Sequence, residues 1–553
     1  MADYFDLGNY TRPVTTSSAQ AQLWFTRGLI WTYAFNHEEA VACFERAIEI
    51  DRSCALAHWG LAYALGPNYN KQWEFFDPVE LTSTVSRAHA AAAQAASHAT
   101  GATGVEQALI GALAARYPSA APAADCSAWN TGYAAAMRDV YRSYPDDLDV
   151  AALFADALMN LTPWALWDQA TGQPADGSGT IEAKDVLDRA LTRDDARTHP
   201  GILHMYIHLM EMSPRPEDAL RVGDWLLDLV PDAGHLRHMP THLDVLCGDY
   251  RRVVSANTTA IAADEKFSAQ AGPMNFYTLY RVHNYHFKIY GAMFLGQQQT
   301  ALDTADQLVA AIPDELLRVQ IPPMADWLEG FLPMKMHVLI RFGRWPDIID
   351  APLPADPGLY CVSTAMIRYA KGVACAATGR IGEAAEHQRE FRAALARVPE
   401  SRTVFSNTCR DILAVAAAML DGELAYRAGD YDQAFAHLRR SIELDDGLPY
   451  DEPWGWMQPT RHAYGALLLE RGRVAEAEAV YRADLGLDDT LARACQHPGN
   501  VWSLHGYHEC LIRLGKREQA GIIAQQLKVA SAYADVPIRS SCYCRLTPQF
   551  STR

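Results

Sequence analysis

Histidine and glutamate recur at helical spacing in three consecutive segments of this chain. His204 and His208 stand four residues apart and Glu211 follows three later, so on a helix all three project from one face. His235, His238 and His242 repeat the arrangement, and His283 with His286 begins it a third time. Neutral imidazole is the commonest side-chain ligand of divalent transition metals, and pairs at i,i+3 or i,i+4 can chelate one ion, although the HExxH motif itself is absent. Seven imidazoles and one carboxylate exceed the needs of a single ion, which points to two ions or to one backed by further histidines. An all-imidazole set suits copper first and zinc next. Glu211 keeps iron and manganese open, whereas calcium and magnesium would ask for more carboxylates. The competing reading is a polar, pH-sensitive groove for a peptide or small molecule, in which each imidazole is only hydrogen-bonded.

Bringing these side chains to one pocket requires neighbouring helices, and the chain reads as helix after helix, with no alternating β-branched stretches. Its 553 residues, 49% hydrophobic, can bury an extended core. A net charge of −18 argues against nucleic acid or anionic lipid as a partner, because phosphate binding needs clustered Lys and Arg. The start, MADYFDLGNYTRPV, lacks a signal-peptide pattern and no run approaches ~20 apolar residues, so the expectation is a cytoplasmic protein with no membrane association. The eleven cysteines are scattered and odd in number, which suits reduced thiols; Cys542 and Cys544 are the one close pair. Pro163-Trp164-Ala165-Leu166-Trp167-Asp168 reads as a loop whose two Trp anchor it by packing, and Asn36-His37-Glu38-Glu39 as a helix-capping turn.

Residues 21–50 contain Trp24, Gly28, Ala40, Phe44 and Ala47, and this pattern resembles the tetratricopeptide repeat (TPR) family, a packed helical hairpin of 34 residues. A weaker unit follows at 53–65. Gly422, Gly429, Ala434 and Leu438 fit the same spacing, as do Gly465, Gly472, Ala477 and Tyr481, and then Gly515 and Ala520. The whole chain also resembles full-length TPR-containing proteins with FNHEEA, GPNYN and HMPTH-like segments. The resemblance implies an all-α fold, a right-handed solenoid of antiparallel helix hairpins with a concave groove. Three regions are expected: N-terminal TPR-like helices at 1–125, central His-rich repeats at 126–330 and C-terminal repeats at 331–553.

Setting Ala219 with Pro231, then Gly248, then Gly296 with Ala301 and Pro313 on the family's frame places the histidines on first helices of three repeats. They fall where the family faces its groove. Seven of those nine places are His, where 19 His in 553 residues predict fewer than one. On the C-terminal repeats the same places hold His462, His505 and Glu509, so Trp454, Trp456, Gln458 and Trp502 would be walls of a substrate pocket. Tyr290 is either a hydrogen-bond donor toward a metal-bound ligand or a packed aromatic. The expected function is a metal-dependent enzyme acting on a small molecule, foremost a dioxygen-using oxidoreductase. Its closest rival is a zinc hydrolase with Glu211 or Glu509 as general base. A third reading is a non-catalytic scaffold for a peptide or protein. The central repeats lack the Lys, Arg and Asn with which chaperone-binding TPR adaptors clamp a carboxylate, which counts against it.

Overall fold

The computed structural model of the chain describes residues 4–488 and 490–545 and is built of α-helices joined by turns and several longer loops, among them 160–179. Strand among the described residues amounts to one antiparallel two-residue pair, Thr403–Val404 with Asn407–Thr408. The chain divides into two units, Met1–Leu243 with Thr259–Gln270, and Asp244–Thr258 with Ala271–Arg553. The division runs through the segment 126–330, leaving His204 to His242 in the first unit and His283 with His286 in the second. No described helix is long and apolar enough to cross a membrane.

The first unit opens on the hairpin Ala19–Tyr33 and His37–Ile50, followed by Ala55–Leu65. Ser18 and Asn36 cap the first two helices, each side chain accepting a backbone N–H three residues on. Phe44, fully buried, is the knob that joins all three helices. A Cβ at Gly28 would sit 2.7 Å from its ring and one at Gly60 2.3 Å, so only glycine lets the neighbouring helices close on it. Phe44→Ala should therefore cost about 3–5 kcal/mol, read from urea denaturation, because the surrounding backbone cannot collapse into the space.

The second unit repeats this device with a different aromatic. Its C-terminal part pairs Cys409–Arg427 with Tyr431–Asp446, Thr460–Glu470 with Val474–Asp484, and Val501–Arg513 with Arg517–Ser531. Tyr481 lies between Gly465 and Gly506, where added Cβ atoms would meet its ring at 2.5 and 2.3 Å. Gly472, with φ 75°, makes the tight turn between its helices. At the end of the same helix Asp484 is wholly buried and accepts from His462 Nε2 (3.0 Å), His497 Nδ1 (2.9 Å), Asn500 Nδ2 (3.0 Å) and Ser503 Oγ (2.5 Å). Burial pushes its carboxyl up, but the two imidazoles outweigh that and hold it well below the ordinary carboxylate range.

Candidate metal centre

The helix Pro200–Glu211 carries the first three candidate ligands, and every residue in it is buried. Proline at its first position needs no N–H partner, and His199 caps it, Nδ1 accepting from Ile202 N at 3.2 Å. That acceptor role leaves the proton on His199 Nε2, which donates to Asp149 Oδ1 at 3.2 Å. Gly201 lets Tyr33 approach, a Cβ there being 2.6 Å from the Tyr33 ring. The close approach puts the Tyr33 carbonyl 2.6 Å from His204 Nδ1.

His204 Nδ1–H donates to that carbonyl, so Nε2 carries the lone pair, and this buried Nε2 has no hydrogen-bond partner among the described residues. His208 shows the same pattern: Nδ1–H donates to Glu211 Oε1 at 2.9 Å and the buried Nε2 is unpartnered. Glu211 Oε2 lies 2.7 Å from His242 Nδ1, so one carboxylate orients two imidazoles through their Nδ1 atoms. His242 Nε2 faces His238 Nε2 at 2.8 Å, and Thr241 Oγ1 is 3.3 Å from His238 Nδ1. His235 completes the group, its ring centroid 4.9 Å from that of His204 and 6.1 Å from those of His208 and His238. His204, His208 and His235 each offer a nitrogen lying within 4.8 Å of the other two.

The helix expected to carry His235, His238 and His242 is broken. Gly234–His238 and Pro240–Cys247 are separate helices, because Pro240 has no N–H to continue the ladder. Even so, all three rings reach the same cluster.

Two of the imidazoles resist protons, and Glu211 favours its charged form. Burial first, then the neighbouring imidazoles, press His204 and His235 well below the ordinary histidine value. Burial raises the Glu211 carboxyl, but His208 and His242 more than offset that and keep it below its usual value. A buried carboxylate is costly unless it is paired, and Glu211 meets an imidazole Nδ1 at each oxygen.

Aromatic rings close over the imidazoles. Phe35 lies 4.5 Å from His204 and stacks on His208 and His235 at 5.7 and 5.6 Å between centroids. Tyr69 and Trp164 approach His208 at 4.9 and 6.0 Å. Phe35 and Trp164 have φ of 56° and 57°, left-handed values that bulky residues rarely adopt. Such strain persists where the surroundings over-determine it, and here both strained residues lie on the histidine cluster. Trp164, read from sequence as a packing anchor, thus also lines the site. Phe35, Tyr69 and the Tyr33 carbonyl escaped the sequence reading, because neither aromatics in loops nor backbone oxygens carry a spacing signal.

The remaining candidates belong to the second unit. His283, His286 and Tyr290 lie on the helix Thr278–Leu295. His283 packs edge-on to Phe405, another residue with left-handed backbone (φ 46°), at 4.8 Å. His286 Nε2 is 2.8 Å from Met457 Sδ, and burial, then His337, lower its pKa to about 3. Tyr290 rests on Phe294 at 4.6 Å and burial pushes its hydroxyl well above the ordinary value, which fits the packed-aromatic alternative. Glu509 is held by Arg545 at 2.7 and 2.9 Å and by Arg513 at 3.2 Å, so it is an ion-paired strut and not a free base.

The expected pocket walls are engaged with the frame of the second unit. Trp454 Nε1 donates to Asp445 O, Gln458 Nε2 to His337 O, and Trp502 Nε1 to Met293 O, at 3.0, 2.8 and 2.7 Å. Trp456 packs on His337 at 4.8 Å, and His462 serves Asp484. Buried polar groups must find partners, and Trp454, Gln458, Trp502 and His462 found theirs in the scaffold, whereas Trp456 Nε1 has none among the described residues. His505 is half-buried, and burial lowers its pKa to about 4.

A family model described as tetratricopeptide repeat matches residues 21–54. No curated protein matches the chain. Among solved structures it is similar to the APC/C hetero-tetramer Cut9-Hcn1, at 15% identity over 89% of this chain and 76% of that one, with a TM-score of 0.32. It is also similar to Naa15/Naa10 bound to HypK-THB, at 12% identity over 92% and 70% of the two chains, with a TM-score of 0.20. With the helix pairs described above, the match identifies the chain as an all-α helical-repeat protein whose residues 21–54 are a tetratricopeptide repeat.

Proposed function

We propose that the first unit holds a divalent transition-metal ion on His204, His208 and His235, with Glu211 orienting His208 and His242 from behind. The observation that carries this reading is tautomeric. His204 and His208 each commit Nδ1–H to a buried oxygen, leaving Nε2 lone pairs without a hydrogen-bond partner beside a third imidazole. A carboxylate behind a histidine is the usual support of a metal ligand, fixing the tautomer and raising its basicity. Three imidazoles favour copper, with zinc and iron behind it.

A copper or iron ion there would supply one-electron chemistry toward dioxygen, which is the oxidoreductase reading. Around it stand the rings of Phe35, Tyr69 and Trp164. The zinc-hydrolase reading is weaker, because Glu211 already meets an imidazole at each oxygen. The repeat at residues 21–54 favours a second reading, a scaffold for a peptide or protein partner, in which the ion is structural.

Elemental mass spectrometry on untagged protein tests the centre. At least one equivalent of copper, zinc or iron is expected, and Glu211→Gln should weaken its retention about 10–100-fold in chelator competition, because the amide nitrogen cannot accept the second Nδ1–H. Metal-free protein, even after reconstitution with each ion, would leave only the scaffold reading.

A further inference from the structure

The Cys542–Cys544 pair belongs to none of this. It closes a disulfide ring across one residue, Tyr543, with Cα atoms 5.3 Å apart, and no second disulfide forms among the described residues. Loop-closure entropy grows with ring size, so a ring this short restrains the unfolded chain less than any wider span. Stabilising the fold is therefore a poor account of it.

The chain on both sides is tied down without the sulfurs. Arg341 Nη1 donates to Ser541 O at 2.8 Å, and Ser541 Oγ to His462 O at 2.8 Å. Arg427 donates to Cys544 O, and Arg545 forks onto Glu509. Reduction breaks none of these bonds, so the two thiols would stay opposite each other, placed for closing again.

The two sulfurs are not equivalent. Cys542 is half-buried and Cys544 is 3% exposed, so an external thiol meets Cys542 first. The Cys544 backbone N–H donates to Cys542 Sγ at 3.2 Å. Arg341, buried and without an ion-pair partner among the described residues, sits on the carbonyl just before Cys542. A donor and a positive charge both favour the thiolate at that position.

We propose that Cys542 and Cys544 form a redox-active dithiol/disulfide centre that exchanges with an external dithiol, Cys542 being the sulfur that is attacked and that attacks. The partner's thiolate forms a bond to Cys542 Sγ as the Cys542–Cys544 bond breaks, and Cys544 leaves as a thiolate that takes up a proton. The partner's second thiol, giving up its proton, then attacks its own mixed sulfur, and Cys542 leaves as a thiolate. Two electrons pass from the partner dithiol to the chain, and the partner ends as a disulfide.

The test uses the native full-length chain equilibrated with dithiothreitol, with thiols counted by maleimide mass labelling and peptide mapping. Reduction should add two labels, both on Cys542 and Cys544, with Cys542 labelling about 10-fold faster than Cys544 and the helical circular dichroism unchanged. Cys544→Ser should trap a mixed disulfide with oxidised glutathione at position 542, and Cys542→Ser should trap none at 544. Resistance of the pair to reduction until the protein is unfolded would overturn the proposal, as would equal trapping in the two variants.

Discussion

A chain carrying His204→Ala and His208→Ala is expected to retain metal at least about 100-fold more weakly than the parent, a loss of about 2.7 kcal/mol or more. Changing a residue behind a ligand already costs 10–100-fold in metal sites, and here two ligands go at once. The rings stand on one turn of one helix, their centroids 4.7 Å apart, so no neighbouring side chain can take over both nitrogens. Both positions are fully buried, and alanine leaves cavities there. A His208→Met chain separates the two effects, since it restores most of the volume with a thioether in place of imidazole. Metal lost from both, with circular dichroism intact, ties the ion to these nitrogens. His505→Ala, on the second unit, should bind as the parent does, and equal loss there would contradict the assignment.

Acid should destabilise the second unit through its buried histidines. Burial presses His286 and His337 to about 3 and His462 to about 4, against about 6.5 for the unfolded chain. Each folded value is depressed, so the unfolded state binds a proton the native state refuses. The stability this represents is present above pH ~6.5 and is lost as pH falls toward the folded values, at up to about 1.4 kcal/mol per pH unit for each imidazole. The three imidazoles contribute up to about 4 kcal/mol per unit between pH ~6 and ~4, and Asp445, whose carboxyl burial raises to about 7, offsets about 1.4 of it. Asp484, held well below the ordinary carboxylate range, acts in the same direction as the imidazoles and only below pH ~4. Hydrogen exchange of second-unit peptides at pH 7, 6 and 5, corrected for intrinsic rates, measures the slope. His337→Leu should lower it by up to about 1.4 kcal/mol per unit, and a flat profile would mean that these imidazoles are protonated in the native state.

Much of the architecture was legible in the chain. The small residues at Gly28, Ala40 and Ala47 about Phe44, and at Gly465 and Ala477 about Tyr481, announce helix hairpins because only small side chains permit the approach that a buried aromatic then fills. The helical spacing of His204, His208 and Glu211 also held, since i,i+3 and i,i+4 geometry is local. Less was legible where the chain departs from regular helix. Pro240 splits the segment expected to run through His235 and His242, and the boundary between the units falls inside the region read as one.

The sequence by itself determined that this is an all-α repeat protein and which imidazoles share a helix face, because both follow from periodicity within a few residues. Tertiary structure alone decided what those imidazoles do. His204, His208, His235, His238 and His242 gather in one cluster, Glu211 holding His208 and His242 and Phe35 covering His204, His208 and His235, whereas His462, with the same spacing credentials, is drawn into the Asp484 hub. The difference lies in which acceptor meets each ring across the packed helices. That acceptor sets the tautomer, and the tautomer decides whether a nitrogen is left for a metal.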